Sequence, residues 1–201
     1  MKIKKIPAGM YGANCYILID EVSKVGCVVD PGGDEDIIIR EIENSDIEVK
    51  YILLTHGHID HVGAVNPIKE KFNIPVYING KDKMFMKENS GVFGGLWNIT
   101  PEDKEINDGD ILELGSLKIK AIETGGHTPG GMCFLVDDVV FTGDTLFYGS
   151  IGRTDFPGGN HKQLIDNIKT KLMILPDNVI VLPGHERESN IKFERYHNPF
   201  L

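Results

Sequence analysis

Four residues able to bind a metal ion stand within six positions of one another: His56, His58, Asp60 and His61, in the segment Thr55-His56-Gly57-His58-Ile59-Asp60-His61. Histidine offers a neutral nitrogen to borderline cations such as zinc, and aspartate offers oxygen. The i, i+2 spacing of His56 and His58 suits an extended turn that aims two rings at one ion. Asp60 and His61 follow where a helix should begin and point to a neighbouring position, so two adjacent ions are a natural consequence. Three more candidates sit in glycine-rich loops, each behind an apolar run. His127 lies in Gly125-Gly126-His127-Thr128-Pro129-Gly130, Asp144 in Thr142-Gly143-Asp144, and His185 in Pro183-Gly184-His185. A strand gives such a ligand rigid support, and glycine lets the backbone turn tightly beneath it.

The elements that must position these loops are short. Strands are expected near residues 14–20, 26–29, 51–54, 75–78, 111–114, 117–122, 133–136, 139–141 and 179–182, where β-branched and apolar residues cluster between turn signals. Helices are expected over residues 34–44, 61–72, 81–88 and 161–172. The last carries Leu164, Ile168 and Leu172 at fourfold spacing, with Asn160 as its cap. Residues 91–108 read as a long connection or a flap. Strands and helices intermix in both halves, which predicts an α/β layered domain with more than one sheet.

Composition narrows the function classes. The chain has 201 residues, enough for one domain with a substantial core. A net charge of −9, without a lysine or arginine run, argues against nucleic acid as partner. No apolar run approaches membrane-spanning length, and the start carries no signal-peptide pattern, so a cytoplasmic protein is expected. Cys15, Cys27 and Cys133 lie in apolar stretches without CxxC spacing; we expect them buried and reduced.

The motifs together resemble those of the metallo-β-lactamase superfamily over nearly the whole chain. His56, His58, Asp60 and His61 match its HxHxDH motif, and His127, Asp144 and His185 match its later ligands in order. The resemblance implies an αββα sandwich, here as a single domain over residues 1–201. It implies one metal on His56, His58 and His127, a second on Asp60, His61 and His185, and Asp144 between them. Two divalent ions are expected, zinc first, with iron or manganese also compatible.

Within that superfamily the chain is similar to the glyoxalase II group, in the form of a short bacterial hydroxyacylglutathione hydrolase-type protein. The carrying stretches are Asp30-Pro31-Gly32-Gly33, His127-Thr128-Pro129-Gly130, Gly143-Asp144-Thr145-Leu146-Phe147 and the segment from Gly149 to Phe156. No counterpart of the longer enzymes' helical C-terminal domain is expected, and Arg187 stands where they have a tyrosine. The resemblance implies hydrolysis of a small-molecule hydroxyacyl thioester, S-lactoylglutathione or another thiol conjugate, by a metal-bridging hydroxide, with Asp60 and Asp144 catalytic. Arg153 is the candidate grip for a substrate carboxylate, with an ion pair to Asp155 as its alternative role. Tyr148, Phe156 and Lys192 are further substrate candidates, and Thr55, Thr128 and Asp155 are candidates for fixing ring tautomers. A near relative, the iron-dependent thiol-persulfide dioxygenase, would use only His56, His127 and Asp144. A metal-braced binding scaffold without catalysis is a third reading. The sequence leaves the oligomeric state, the acyl group and the thiol carrier open.

Overall fold

Alternation along the central strands decides the architecture. The computed structural model describes every residue except 89–90, 96–97 and 99. The chain opens with β1 (Lys2–Ala8), β2 (Ala13–Asp20), β3 (Val25–Val29), α1 (Glu35–Glu43), β4 (Glu48–Leu53), α2 (Ile59–Val62), α3 (Val65–Phe72), β5 (Val76–Ile78), α4 (Gly80–Lys87) and β6 (Lys104–Glu105). It continues through β7 (Ile111–Leu114), β8 (Leu117–Glu123), β9 (Met132–Val136), β10 (Val139–Gly143), β11 (Leu146–Phe147), β12 (Ser150–Ile151), α5 (His161–Asn167), β13 (Ile180–Pro183), β14 (Ser189–Asn190) and α6 (Ile191–His197). One sheet has the order β1-β2-β3-β4-β5-β6 and the other β14-β13-β10-β9-β8-β7, while β11 and β12 form a small hairpin.

β2 is buried on both faces. Successive side chains of a strand point to opposite sides, so β2 serves two cores. Cys15, Ile17 and Ile19 pack with Ile38 and Ile42 of α1 and Ile68 of α3. Tyr16 and Leu18 pack with Phe134, Phe141 and Leu182 of the second sheet. Beyond that sheet, Cys133, Val140 and Val181 meet Leu164, Ile168 and Leu172. Three apolar layers separate helix, sheet, sheet and helix, which is the expected αββα sandwich. All three cysteines are buried and free.

Four local features depart from the expectations. β1 is a strand although its sequence is rich in lysine; it is an edge strand, where charge discourages pairing with other chains, and only Ile6 and Ala8 are buried. The helix expected over 61–72 is two helices, α2 and α3. The Ala64 N–H donates to the Pro31 carbonyl at 2.9 Å, and Pro67 has no N–H to return to the preceding turn. Beyond Asn167 the helix α5 widens into a π-helical turn over Ile168–Leu172, closed by Met173 N–H to Ile168 O at 2.9 Å. α6 is also additional, and its signal was present: Asn190 Oδ1 caps it through the Phe193 N–H at 2.8 Å. Of the expected connection over 91–108, residues 96–97 and 99 lie outside the described residues. The rest includes β6 and an isolated bridge from Phe93 to His58.

Asp20 ties the two sheets at one end. It accepts from the Val22 N–H at 3.1 Å and the Ser23 hydroxyl at 2.7 Å on its own turn, and from the N–H and hydroxyl of Ser116, at 2.7 and 2.9 Å, in the β7–β8 turn. These bonds, led by that from the Ser116 amide, hold its carboxyl well below the usual range. A depressed folded-state pKa gives stability that is present above the unfolded value, about 3.9, and lost as pH falls through the folded one. Asp20→Ala is therefore expected to lower the denaturation midpoint at pH 7 and to flatten the acid limb of the stability curve. Equal midpoints for both proteins at pH 7 and pH 3 would remove Asp20 from this role.

Candidate metal centre

The seven expected ligands come together at one edge of the sandwich, and both sheets contribute. His56, His58, Asp60 and His61 follow β4 in the first sheet. His127 lies between β8 and β9, while Asp144 follows β10 and His185 follows β13, all in the second. Two glycines make the close approach possible. A Cβ on Gly184 would collide with Asp144 Oδ1 and with the His61 ring, and one on Gly143, where φ is +47°, would strike the Thr55 side chain.

Among the described residues three groups of ligand atoms converge within 4.8 Å: the first from His56, His58 and His127, the second from Asp60, His61 and His185, and a third from Asp30, His56 and His61. The third shares two rings with the others, and its carboxylate is taken up by Thr55 and His61 Nδ1. In the first, His58 Nδ1 and His127 Nε2 are 2.9 Å apart. In the second, Asp60 Oδ2 lies 3.2 Å from His185 Nε2 and 3.8 Å from His61 Nε2. Asp144 stands between them, with Oδ1 3.4 Å from His61 Nε2 and Oδ2 3.6 Å from both His127 Nε2 and His185 Nε2. Among the described residues, His56 Nε2, His58 Nε2, His61 Nε2 and Asp144 Oδ1 are buried without a hydrogen-bond partner, as is Thr128 Oγ1. Buried polar atoms are normally paired, and four of these five unpaired ones belong to candidate ligands. The donor set therefore fits two adjacent divalent cations.

Ring orientations are fixed from behind. His61 Nδ1 lies 2.9 Å from Asp30 Oδ2; a carboxylate only accepts, so that nitrogen carries the hydrogen and Nε2 faces the cluster. His127 Nδ1 donates likewise to the Arg153 carbonyl at 2.7 Å. Thr55 Oγ1 donates to Asp30 Oδ2 at 2.6 Å and stands 3.0 Å from His56 Nδ1. Of the three residues expected to fix tautomers, Thr55 touches a ligand ring. Thr128 is buried, but no hydrogen bond joins it to a ligand histidine, and Asp155 is taken by Arg153.

The two groups differ electrostatically. Burial, reinforced by neighbouring rings, holds His56 well below its usual pKa and takes His58 to about 3. Burial also lowers His127, against the pull of Asp144. These rings keep free lone pairs at neutral pH. In the second group, burial opposes charge on His61, but Asp144 and Asp30 raise its pKa well above the usual value, and the Asp60 bond raises that of His185. Burial would raise Asp144, yet His61 and its neighbours hold the carboxyl far below the usual range. One side is thus a neutral three-nitrogen cradle, the other a carboxylate-rich one.

Above the ligands opens a cleft of ≈ 650 Å³, walled by apolar side chains including Tyr11, Ile59, Val92, Phe147 and Phe156. Arg153 also lines it, in a bidentate pair with Asp155 at 2.7 Å and with its guanidinium 3.8 Å from the Phe156 ring centroid. Tyr148 is not among the lining residues; it stacks on Phe193 at 4.4 Å, with the Arg187 guanidinium 3.5 Å from its ring centroid. Lys192 is exposed on α6 and also lies outside the lining. Besides Asp20, three buried carboxylates carry no site role in the sequence expectations: Asp30, Asp82 and Glu194. For Asp30 the sequence signal is its place directly after the apolar run Cys27-Val28-Val29 and before Pro31-Gly32-Gly33; the structure sets it there at a φ of +51°. Asp82 and Glu194 sit inside helices and carry no local signal of burial.

Comparison with known proteins agrees with this geometry. The model of the metallo-beta-lactamase superfamily matches residues 8–185. Hydroxyacylglutathione hydrolase GloC of Haemophilus influenzae is 40% identical over 210 residues, covering 100% of this chain and 98% of that protein. The crystal structure of the BLEG-1 B3 metallo-beta-lactamase superposes with a TM-score of 0.90 at 34% identity, covering 100% of this chain and 99% of that one. TTHA1623, solved in a di-iron-bound form, gives a TM-score of 0.86 at 29% identity, covering 98% of this chain and 100% of that one. Among the described residues no helix is long and apolar enough to cross a membrane.

Proposed function

The chain belongs to the metallo-beta-lactamase superfamily, and from that premise we propose that the protein is a binuclear metal-dependent hydrolase of hydroxyacyl thioesters. The observation that carries the reading is the pair of ligand groups with Asp144 between them, opening beneath an apolar cleft. The full-length similarity to a protein named hydroxyacylglutathione hydrolase supports the substrate class, and the di-iron form of TTHA1623 supports a site for two ions.

Two divalent ions held here would lower the pKa of a water toward neutrality and polarise the carbonyl under attack. His56, His58 and His127 would hold one ion, Asp60, His61 and His185 the other, and Asp144 would be shared. Asp60, partly open to the cleft and 3.2 Å from His185 Nε2 through Oδ2, orients the attacking water and takes its proton at a carboxylate oxygen. The apolar walls exclude bulk water and accept the methylene portion of an acyl or thiol group. Arg153, with its fork shared by Asp155, offers a cation at the cleft for an anionic carrier.

The test is to purify the protein without chelators, count its metals by elemental analysis, and assay the same sample in two ways. About two metals per chain, S-lactoylglutathione cleavage and no oxygen uptake with glutathione persulfide are expected. One iron per chain with oxygen consumption would replace the hydrolase by a persulfide dioxygenase. Two metals with neither activity would leave a binding scaffold.

A further inference from the structure

Behind the three-histidine group lies a carboxylate that belongs to no ligand set. Asp82, in the first turn of α4, is completely buried. Its Oδ2 accepts the Gly57 N–H at 3.0 Å and its Oδ1 the Gly130 N–H at 2.6 Å. Gly57 separates His56 from His58, and Gly130 closes the loop that begins at His127. One side chain thus grips the main chain of both loops whose histidines form the group, and those loops come from different sheets.

The surroundings are built to this contact. A Cβ on Gly57 would press into Met86 at 2.8 Å, and one on Gly130 would press into Asn79 Oδ1 at 2.6 Å and Asp82 Oδ1 at 2.9 Å. The helix therefore sits directly on both glycines, with Asn79 capping its first turn through the Lys81 N–H at 3.0 Å. A buried carboxylate is costly to bury unless it is well bonded. A hydrophobic residue here would leave the Gly57 and Gly130 N–H groups buried without an acceptor. What a carboxylate adds is two acceptors of fixed separation, joined through one rigid plane.

We propose that Asp82 is a positioning residue that sets the separation of the His56–His58 loop from the His127 loop, and so the metal affinity of that three-histidine site. The proposal rests on the metal-binding reading of His56, His58 and His127, and not on the identity of the substrate. Asp82→Asn preserves size but not function: an amide can accept one of the two N–H bonds and turns an NH₂ towards the other. Residues one step behind a ligand typically change metal affinity by about 10–100-fold, and a loss of that size is expected at this site alone.

The experiment isolates the site by removing the other. In a His185→Ala background, metal affinity is measured by competition with a chromogenic chelator, with and without Asp82→Asn; a weakening of about 10-fold or more is expected. In a His58→Ala background, where the Asp60–His61 side remains, the same change is expected to leave affinity unaltered. Equal weakening in both backgrounds, or in neither, overturns the proposal, whatever the effect on melting temperature. Where Asp82→Asn does not give folded protein, Asp82→Ser, whose hydroxyl keeps one acceptor, replaces it under the same two outcomes. No step uses catalytic turnover, so a wrong substrate would leave the result intact, whereas failure of both backgrounds to bind metal would strike the metal reading itself.

Discussion

Asp144→Ala is expected to reduce bound metal from two ions per chain to one or fewer and to lower thioester turnover by more than about 10²-fold. The magnitude follows from position. Residues that merely orient a ligand already cost about 10–100-fold when removed, and Asp144 faces His61, His127 and His185 at 3.4–3.6 Å with both oxygens. No neighbouring acid stands in its place: Asp60 lies to one side, against His185, and Asp30 is already engaged by Thr55 and His61. Elemental analysis and steady-state kinetics on the same preparation decide it. Two metals with full turnover would show that Asp144 is not shared between the ions.

Asp30→Asn should be nearly as damaging, although Asp30 is outside both proposed ligand groups. The carboxylate takes the Thr55 N–H at 2.7 Å, the Thr55 hydroxyl at 2.6 Å and His61 Nδ1 at 2.9 Å, in a pocket that leaves it 2% exposed. An asparagine whose NH₂ takes the place of Oδ2 presents two N–H donors where the Thr55 hydroxyl and His61 Nδ1 already point. Relief comes when His61 moves its hydrogen to Nε2 and accepts through Nδ1, which removes the lone pair aimed at the metal. We expect a metal affinity loss of about 10–100-fold on the Asp60–His61–His185 side and a stability loss of about 1–3 kcal/mol from unsatisfied buried donors. Nitrogen-15 spectra of the His61 ring read the tautomer directly. An unchanged Nδ1-protonated ring with unchanged metal affinity would refute the argument.

Legibility in the sequence followed the range over which each signal acts. His56 to His61 declare themselves because four ligand types fall in one loop. His127, Asp144 and His185 are legible because each repeats the same local grammar of apolar run, glycine and ligand. Strand positions in the cores were equally readable: β7 spans the expected residues, and several others differ only at their ends. What failed depended on distant partners. β1 could not be read because its lysines mask two buried positions, Ile6 and Ala8, that matter only once β2 lies beside them. The break between α2 and α3 turns on the Pro31 carbonyl, more than thirty positions upstream of Ala64. Asp82 and Glu194 look like ordinary surface acids of helices. Glu194 is instead buried, accepting the Gly149 N–H at 3.1 Å, bonding to the Ser189 hydroxyl, and taking an Asn198 amide hydrogen at 2.8 Å. Tyr148 and Lys192 show the opposite limit, since nearness in sequence to a site motif did not bring either to the cleft lining.

Because the candidate ligands come from both sheets, the site works as a gauge of the gap between them. Two packed sheets lie about 10 Å apart, and here that interval is filled by Tyr16, Leu18, Phe134 and Phe141. A substitution such as Phe141→Leu that leaves the fold intact would let the layers settle by a fraction of an ångström. A misplacement of about 1 Å can cost 10²-fold in rate. Activity is then a finer ruler of core packing than stability is, and the middle of this sandwich should tolerate fewer changes than its outer layers, whose contacts do not cross the seam.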